Sequence, residues 1–304
     1  MEKNYIVFDL EWNQSNDNHK THKDLPFEIL EIGAVKCNSK REIVDRYHRL
    51  IKPQVYKTMH FMTKKIVHLD MKKLSTEEEF PIVMQDFLNW CGSDPIFCTW
   101  GNLDLIELQR NMKFYKMEPL NDGPLYFLDV QKLFSLSFED GKKRSSLETA
   151  VDYFEFSKDE EFHSADGDAY YTALIFNRIK EKALSHFSID VFHTPKDVES
   201  EIHETFDTYS KYISREFKNR TLALADKEVT STRCFICNRN AKRKIKWFTL
   251  NNKHYFCVAF CRNHGYLRAK ARIKKCSNGN VYVVKTIKQI DEKDVQNITE
   301  KLLK

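Results

Sequence analysis

Three acidic signatures lie far apart in this chain of 304 residues: Asp9-Leu10-Glu11, then Asp104, then His163 followed by Asp168. Residues two apart on an extended strand project to the same face, so Asp9 and Glu11 would point together. Two neighbouring carboxylates repel unless a cation lies between them, and oxygen donors of this kind suit Mg2+ or Mn2+. An imidazole with its ordinary pKa near about 6.5 could take a proton from water at such a centre. Each signature alone has a plainer reading. Asp9 and Glu11 could be surface acids at a strand end, Asp104 could cap the helix it begins, and His163 could be a surface or satisfied core histidine.

A second constellation lies in the last quarter of the chain. Cys234-x2-Cys237 and Cys261-x2-His264 are separated by 23 residues, a spacing that fits two knuckles closing one tetrahedral structural Zn2+ site. Cys257 rivals one ligand position and Cys276 reads as spare, while Cys37, Cys91 and Cys98 stand singly in apolar surroundings. Four protein ligands leave no open coordination place, so such a zinc would support folding and not catalysis.

Charge is distributed unevenly. Arg233 to Lys288 holds 15 Lys or Arg and no Asp or Glu, leaving 34 basic against 44 acidic residues elsewhere. A basic unit beside an acidic, cation-hungry one suits a polyanion such as nucleic acid. Lys242, Arg243, Arg268 and Arg272, interleaved with Trp247, Tyr255, Phe256 and Tyr266, fit a phosphate-tracking surface with stacking groups. The bland alternative is a solvated charged face.

These residues need elements to position them. Tyr5 to Trp12 reads as a central strand, followed by strands Glu28 to Lys36 and Ile43 to Ile51 in an antiparallel meander. Ser75 with Glu78 is a capping-box pattern before a helix that begins near Pro81 and reaches Trp90. A strand over Pro95 to Trp100, a helix over Leu103 to Tyr115 and a strand over Tyr126 to Val130 come next. Ser145 with Glu148 repeats the capping pattern before a helix of Leu147, Val151 and Phe154, and a longer helix from Ala165 to Lys182 ends the unit. Phe206, Tyr209, Ile213 and Phe217 recur at helical spacing and predict an amphipathic connecting helix. The expected domains are 1–184, a helical connector at 185–228, and a basic Cys/His zinc-binding domain at 229–304. The expected fold class is α/β, a ribonuclease-H-like mixed sheet flanked by helices, followed by a small zinc-ribbon-like domain.

The motifs resemble the DEDD family of 3'→5' exonucleases in its histidine subtype. Phe8-Asp9-Leu10-Glu11 is similar to that family's first motif, Trp100-Gly101-Asn102-Leu103-Asp104 to its second, and His163-Ser164-Ala165-Asp166-Gly167-Asp168-Ala169 to its third. Glu28 to Val35 resembles its second strand, and the likeness covers about residues 4 to 180. The Trp-Gly-Asn-x-Asp form is closest to Eri-1-like members, which trim structured RNA ends, and to bacterial sporulation-inhibitor-like members. The resemblance implies two Mg2+ or Mn2+ ions held by Asp9, Glu11, Asp104 and Asp168, with His163 as the proton acceptor. It also implies nucleoside 5'-monophosphate as product, with RNA favoured over DNA as substrate. Backbone groups at Leu10 would meet the terminal sugar, and Asn102 belongs to the second motif. Trp12 and Trp100 could stack on terminal bases, worth about 1–3 kcal/mol per base, although core packing is an equal reading for Trp100. Glu31 reads as structural and Asp166 as solvated or capping. The polar insert Asn13 to Asp24 departs from the family.

Another class of function remains open: a non-catalytic nucleic-acid-binding or adaptor protein on a degenerate nuclease fold, against which stands the presence of all five side chains. A third reading makes the C-terminal unit a protein-binding zinc module. No stretch approaches the roughly 18 apolar residues needed to span a bilayer, and the apolar run Tyr5 to Phe8 is too short for a signal sequence. No membrane partner and a cytoplasmic location are therefore expected. Oligomeric state is not legible.

Overall fold

β1 (Tyr5–Asn13) is buried along both faces, as its nearly continuous run of β-favouring residues demands of a central strand. It pairs antiparallel with β2 (Glu28–Cys37), which pairs antiparallel with β3 (Ile43–Leu50), completing the expected meander. The computed structural model describes residues 4–67, 69–249, 251 and 253–303. On its other side β1 pairs in parallel with β4 (Ile96–Thr99), and β4 with β5 (Leu125–Asp129). A short antiparallel edge strand, β6 (Ser188–Asp190), gives the order β3-β2-β1-β4-β5-β6.

Two apolar layers sandwich this mixed sheet. The helices of this unit are α1 (Thr63–Ile66), α2 (Met71–Leu74), α3 (Phe80–Cys91), α4 (Leu103–Phe114), α5 (Val130–Phe138), α6 (Leu147–Tyr153) and α7 (Ala165–Arg178). Ile6, Phe8 and Leu10 pack on one face with Val83, Phe87 and Leu108, from α3 and α4. Val7 packs on the other with Phe134 of α5, Val151 of α6 and Phe176 of α7. The two-residue alternation of β1 therefore sends its even positions to one layer and its odd positions, Asp9 and Glu11 among them, to the layer of α7.

Local details depart from the sequence pattern. Glu79, not Ser75, precedes α3, while Ser75 closes α2 with its Oγ donating to the Lys72 carbonyl at 2.6 Å. Ser146 caps α6 by accepting the Thr149 amide at 3.2 Å, and buried Ser145 donates instead to Glu139 at 2.7 Å. The unforeseen α5 follows β5 directly, capped by Asp129, which accepts the Lys132 amide at 2.9 Å. α7 stops at Arg178, and a 3-10 turn, Glu181–Ser185, follows.

The chain divides into two compact units, Met1–Phe192 and His193–Lys304. The expected helical connector at 185–228 carries strands and is α-helical only near its end, over Arg220–Ala225 and from Lys227: β6 completes the first sheet, and β7 (Ile202–Thr205) and β8 (Tyr209–Ile213) form a hairpin of the second. Phe206 and Tyr209 share the spacing of a helical stripe because they flank a two-residue turn. The Phe206 amide donates to the Tyr209 carbonyl at 2.8 Å, and their rings stack 4.5 Å apart. Alternation along Tyr209-Ser-Lys-Tyr-Ile outweighs the period-three coincidence.

The second unit continues with α8 (Arg220–Ala225), α9 (Lys227–Thr230), β9 (Lys242–Thr249), β10 (His254–Cys261), β11 (Gly265–Lys275), β12 (Val281–Gln289) and α10 (Glu292–Leu303). Its six strands run in the order β7-β8-β12-β11-β10-β9, larger than a minimal zinc ribbon. Among the described residues no helix is long and apolar enough to cross a membrane.

Candidate active site and metal-binding cluster

Strand pairing sets the first part of the site. Asp9 faces Gly33 across the β1–β2 ladder and Glu11 faces Glu31, so three carboxylates share one face. A bulge between Glu11 and Trp12 interrupts the ladder there. The N-terminus of α7 lies on that face because Gly33 lacks a side chain: a Cβ there would meet the Ala165 carbonyl carbon at 2.1 Å and the Asp166 amide at 2.2 Å. Gly167 does the same for the preceding loop, where a Cβ would meet the Glu161 carbonyl oxygen at 2.2 Å.

That approach delivers Asp168. Oxygens of Asp9, Glu11 and Asp168 lie within 4.8 Å of one another, close enough to hold one metal ion. Asp104 enters from the first turn of α4, past the point where the β1–β4 pairing ends at Val7 and Cys98. The Leu10 backbone N–H donates to its carboxylate. His163 sits in the turn before α7 with a φ of 60°, a left-handed conformation that is uncommon for a non-glycine residue. Its backbone N–H donates to Asp168, and its side chain is exposed to solvent.

Burial and mutual repulsion push every carboxyl of the group upward. Glu11 rises to about 9, first from desolvation and then from Asp168, Glu31 and Asp104. Asp168 rises to about 7 from desolvation and Glu31, against the His163 hydrogen bond. Asp104 rises to about 7 from desolvation, against the Leu10 amide. Asp9 lies well above the carboxylate range, from desolvation and then Asp104. Among the described residues no Lys or Arg pairs with these four acids. The donor set therefore fits a divalent cation, which would supply the missing positive charge.

Sequence reasoning undervalued Glu31. It is buried, accepts His48 Nε2 at 2.8 Å and Ser164 Oγ at 3.3 Å, and adds to the field on Asp9, Glu11 and Asp168. The β1–β2 register would have revealed it, but a long loop joins those strands and hides that register. Asp166 is neither capping nor free, since its carboxylate accepts Arg46 at 2.7 Å.

The cysteine unit closes a second cluster. Cys234 and Cys237 occupy a tight turn bracketed by the Arg233–Asn240 bridge, while Cys261 ends β10 and His264 lies in the turn to β11. The ligand atoms of Cys234, Cys237, Cys261 and His264 all lie within 4.8 Å of one another. Cys237 and Cys261 sulfurs are 3.6 Å apart, and His264 Nδ1 is 3.5 Å from the Cys234 sulfur. Metal–sulfur bonds of about 2.3 Å in a tetrahedron put sulfurs about 3.7 Å apart, so the spacing suits a metal ion. Burial opposes ionisation of Cys261, yet the Asn263 amide, His264 and Cys237 together hold it at about 6. Cys257, the rival ligand, is excluded: its Sγ donates to the Ile245 carbonyl at 3.1 Å, and burial lifts it to about 11.

Residues 6–176 match the RNase T family model, described as an exonuclease. The chain belongs to the RNase T exonuclease family. Among curated proteins, none matches its sequence. A crystal structure of the nuclease domain of 3'hExo, a DEDDh family member bound to rAMP, is 16% identical with a TM-score of 0.50, covering 58% of this chain and 91% of that one. Cell-death related nuclease 4 (CRN-4) is 17% identical over 58% of this chain and 63% of its own, with a TM-score of 0.48. E. coli exonuclease I in complex with a dA16 oligonucleotide is 10% identical over 89% of this chain and 55% of its own, at 0.49. At 16% identity the likeness to the 3'hExo domain speaks for the fold alone.

In this RNase T family member the expected substrate contacts fall into two groups. Leu10 is a core residue whose amide serves Asp104, and Asn102 is exposed just before α4. Trp12 packs 5.7 Å from Phe27, and Trp100 packs 6.0 Å from Phe134 with its Nε1 buried and unpartnered. Lys242, Arg243 and Arg272 are exposed and Arg268 is half-buried on the second sheet. Trp247, half-buried, packs into both apolar clusters of its unit, and its Nε1 donates to the Thr230 carbonyl at 3.0 Å.

Proposed function

We propose that this protein is a metal-dependent 3'→5' exonuclease, RNA being favoured over DNA. The observation that carries the reading is the meeting of Asp9, Glu11 and Asp168 within 4.8 Å, with Asp104 adding its charge alongside and, among the described residues, no Lys or Arg paired with them. These four residues would hold two Mg2+ or Mn2+ ions, which when bound supply an acidified water and neutralise charge at the leaving oxygen.

The chain's own groups do the rest. His163, exposed beside Asp168, accepts the proton of the attacking water. An oxygen–phosphorus bond forms, the bond from phosphorus to the preceding 3' oxygen breaks, and a nucleoside 5'-monophosphate leaves a strand with a new 3'-hydroxyl. Glu31, held by His48 and Ser164, faces Glu11 across the ladder and adds its negative charge to the site. The Cys234, Cys237, Cys261 and His264 group would hold one structural Zn2+, and the basic unit around it would hold the polynucleotide.

Matched RNA and DNA, each labelled at the 5' or the 3' end, test this directly with Mg2+ or Mn2+. The expected result is stepwise shortening from the 3' end, monophosphate release, and loss of both in Asp9→Asn. Equal degradation by wild type and Asp9→Asn would refute the reading.

A further inference from the structure

We infer that the outer face of the second sheet, across β9, β10 and β11, binds single-stranded polynucleotide through stacked bases. The inference deepens the reading of the basic unit given above and rests on that part of it. Directly opposed residues on antiparallel strands project to one face. Phe256 opposes Phe248 on β9 and Lys270 on β11, and Phe260 opposes Tyr266. One residue along, Cys257, Ala259, Ala269 and Ala271 are buried on the opposite face.

The outer face therefore gathers rings and cations. Phe248 and Phe256 lie 5.8 Å apart and Phe260 and Tyr266 4.9 Å apart, and all four remain half-exposed. Lys270 Nζ stands 5.9 Å from the Phe256 ring and Lys244 Nζ 5.5 Å from the Phe260 ring. Both lysines are exposed, and β9 to β12 contain no acid. Arg268, also on this face, keeps a buried Nε without a hydrogen-bond partner.

This chemistry discriminates among polyanions. An acidic peptide would use the cations and leave the rings in water. A duplex would offer phosphates, but its base faces are already stacked. A single strand uses both: phosphates draw the ammonium groups off the rings, and bases take their place. None of these rings belongs to the carboxylate site, so binding and hydrolysis are separable.

The test is fluorescence anisotropy of the full chain with fluorescein-labelled U15, dT15 and a matched duplex, in magnesium-free buffer over a salt series. Phe256→Ala with Phe260→Ala is expected to weaken single-strand binding about tenfold per ring, with little change for the duplex. Lys270→Gln with Arg272→Gln, which leaves the packing intact, should reduce the logarithmic salt slope by about 0.7 per cation. Zinc content and circular dichroism verify folding of each variant. The relative affinities for U15 and dT15 tell RNA from DNA. Unchanged affinity in both variants, or duplex binding as tight as single-strand binding, would overturn the inference, as would equal displacement by polyglutamate. Hydrolysis of the p-nitrophenyl ester of thymidine 5'-monophosphate by the wild type is measured alongside, since it needs the carboxylate site alone. Hydrolysis without strand binding sinks this surface, whereas strand binding without hydrolysis sinks the nuclease reading and leaves the surface standing.

Discussion

Removing divalent cations should make the N-terminal unit lose stability as pH rises, the reverse of ordinary acid denaturation. Folding lifts the Asp168 carboxyl from 3.8 to about 7. Between those values the folded chain binds a proton that the unfolded chain has released, so stability is full below pH 4 and falls until pH passes about 7. At about 1.4 kcal/mol per pKa unit, this one group contributes a loss of about 4 kcal/mol. For a unit of this size that is a fall in melting temperature of roughly 10 °C. Glu11, lifted to about 9, extends the decline to higher pH. Tryptophan fluorescence reports chiefly on this unit, which holds Trp12, Trp90 and Trp100 of the four tryptophans. Melts at pH 5.5 and 8.5 in metal-scrubbed buffer, without a chelator that would strip zinc, should show the part of that drop above pH 5.5, about 2 kcal/mol from Asp168. Millimolar Mg2+ should restore stability at pH 8.5 and do little at pH 5.5, where protons already neutralise the site. Asp168→Asn, a neutral mimic of the protonated acid, should make the decline shallower and leave the part due to Glu11. A pH-independent melting temperature, or the same Mg2+ effect at both pH values, would refute the account.

Further expectations concern single positions. Gly33→Val should separate α7 from β2 and cost at least about 1–3 kcal/mol, with activity falling further than the folded fraction; unaltered turnover would contradict the close approach. His163→Asn should reduce kcat by about 10²–10⁴-fold while Mg2+ still raises the melting temperature, as thermal shift assays would reveal. One zinc per chain is expected by elemental analysis. Cys237→Ser should lose that zinc and unfold the second unit, whereas Cys257→Ser should retain the metal. Trp247→Phe, which gives up the Thr230 hydrogen bond, should cost about 1 kcal/mol and leave strand affinity of the folded protein unchanged.

Much of the N-terminal unit could be read from local pattern. β1, β2 and β3 announce themselves by β-favouring residues closed by polar turns, and two-residue alternation alone puts Asp9 and Glu11 on one face. Asp104 and Asp168 were legible because each stands at the entry of a helix with its own apolar stripe. What escaped was set by tertiary register. Glu31 joins the acids only through a ladder partner 20 residues away, and Gly33 matters only because α7 arrives on it. The hairpin at 202–213 imitates a helix because a two-residue turn reproduces a spacing of three. Trp247 looked like a stacking residue from its basic neighbours, yet its position in the alternation of β9 turns it toward the core. Cys257 lies four residues from Cys261, about 13 Å along an extended strand, and that distance keeps it out of the cluster.

The carboxylates Asp9 and Glu11 hang from a strand covered by apolar layers on both faces, paired with β2 along its length and with β4 over Tyr5, Ile6 and Val7. Loop-borne sites can open by local fraying, at little cost to the rest of the molecule. Here the backbone that bears the first two acids is tied along one edge to β2, so it opens less readily than a loop. The amides that bond to β2 should exchange slowly, and the spacing of those acids persists until the β1–β2 ladder comes apart.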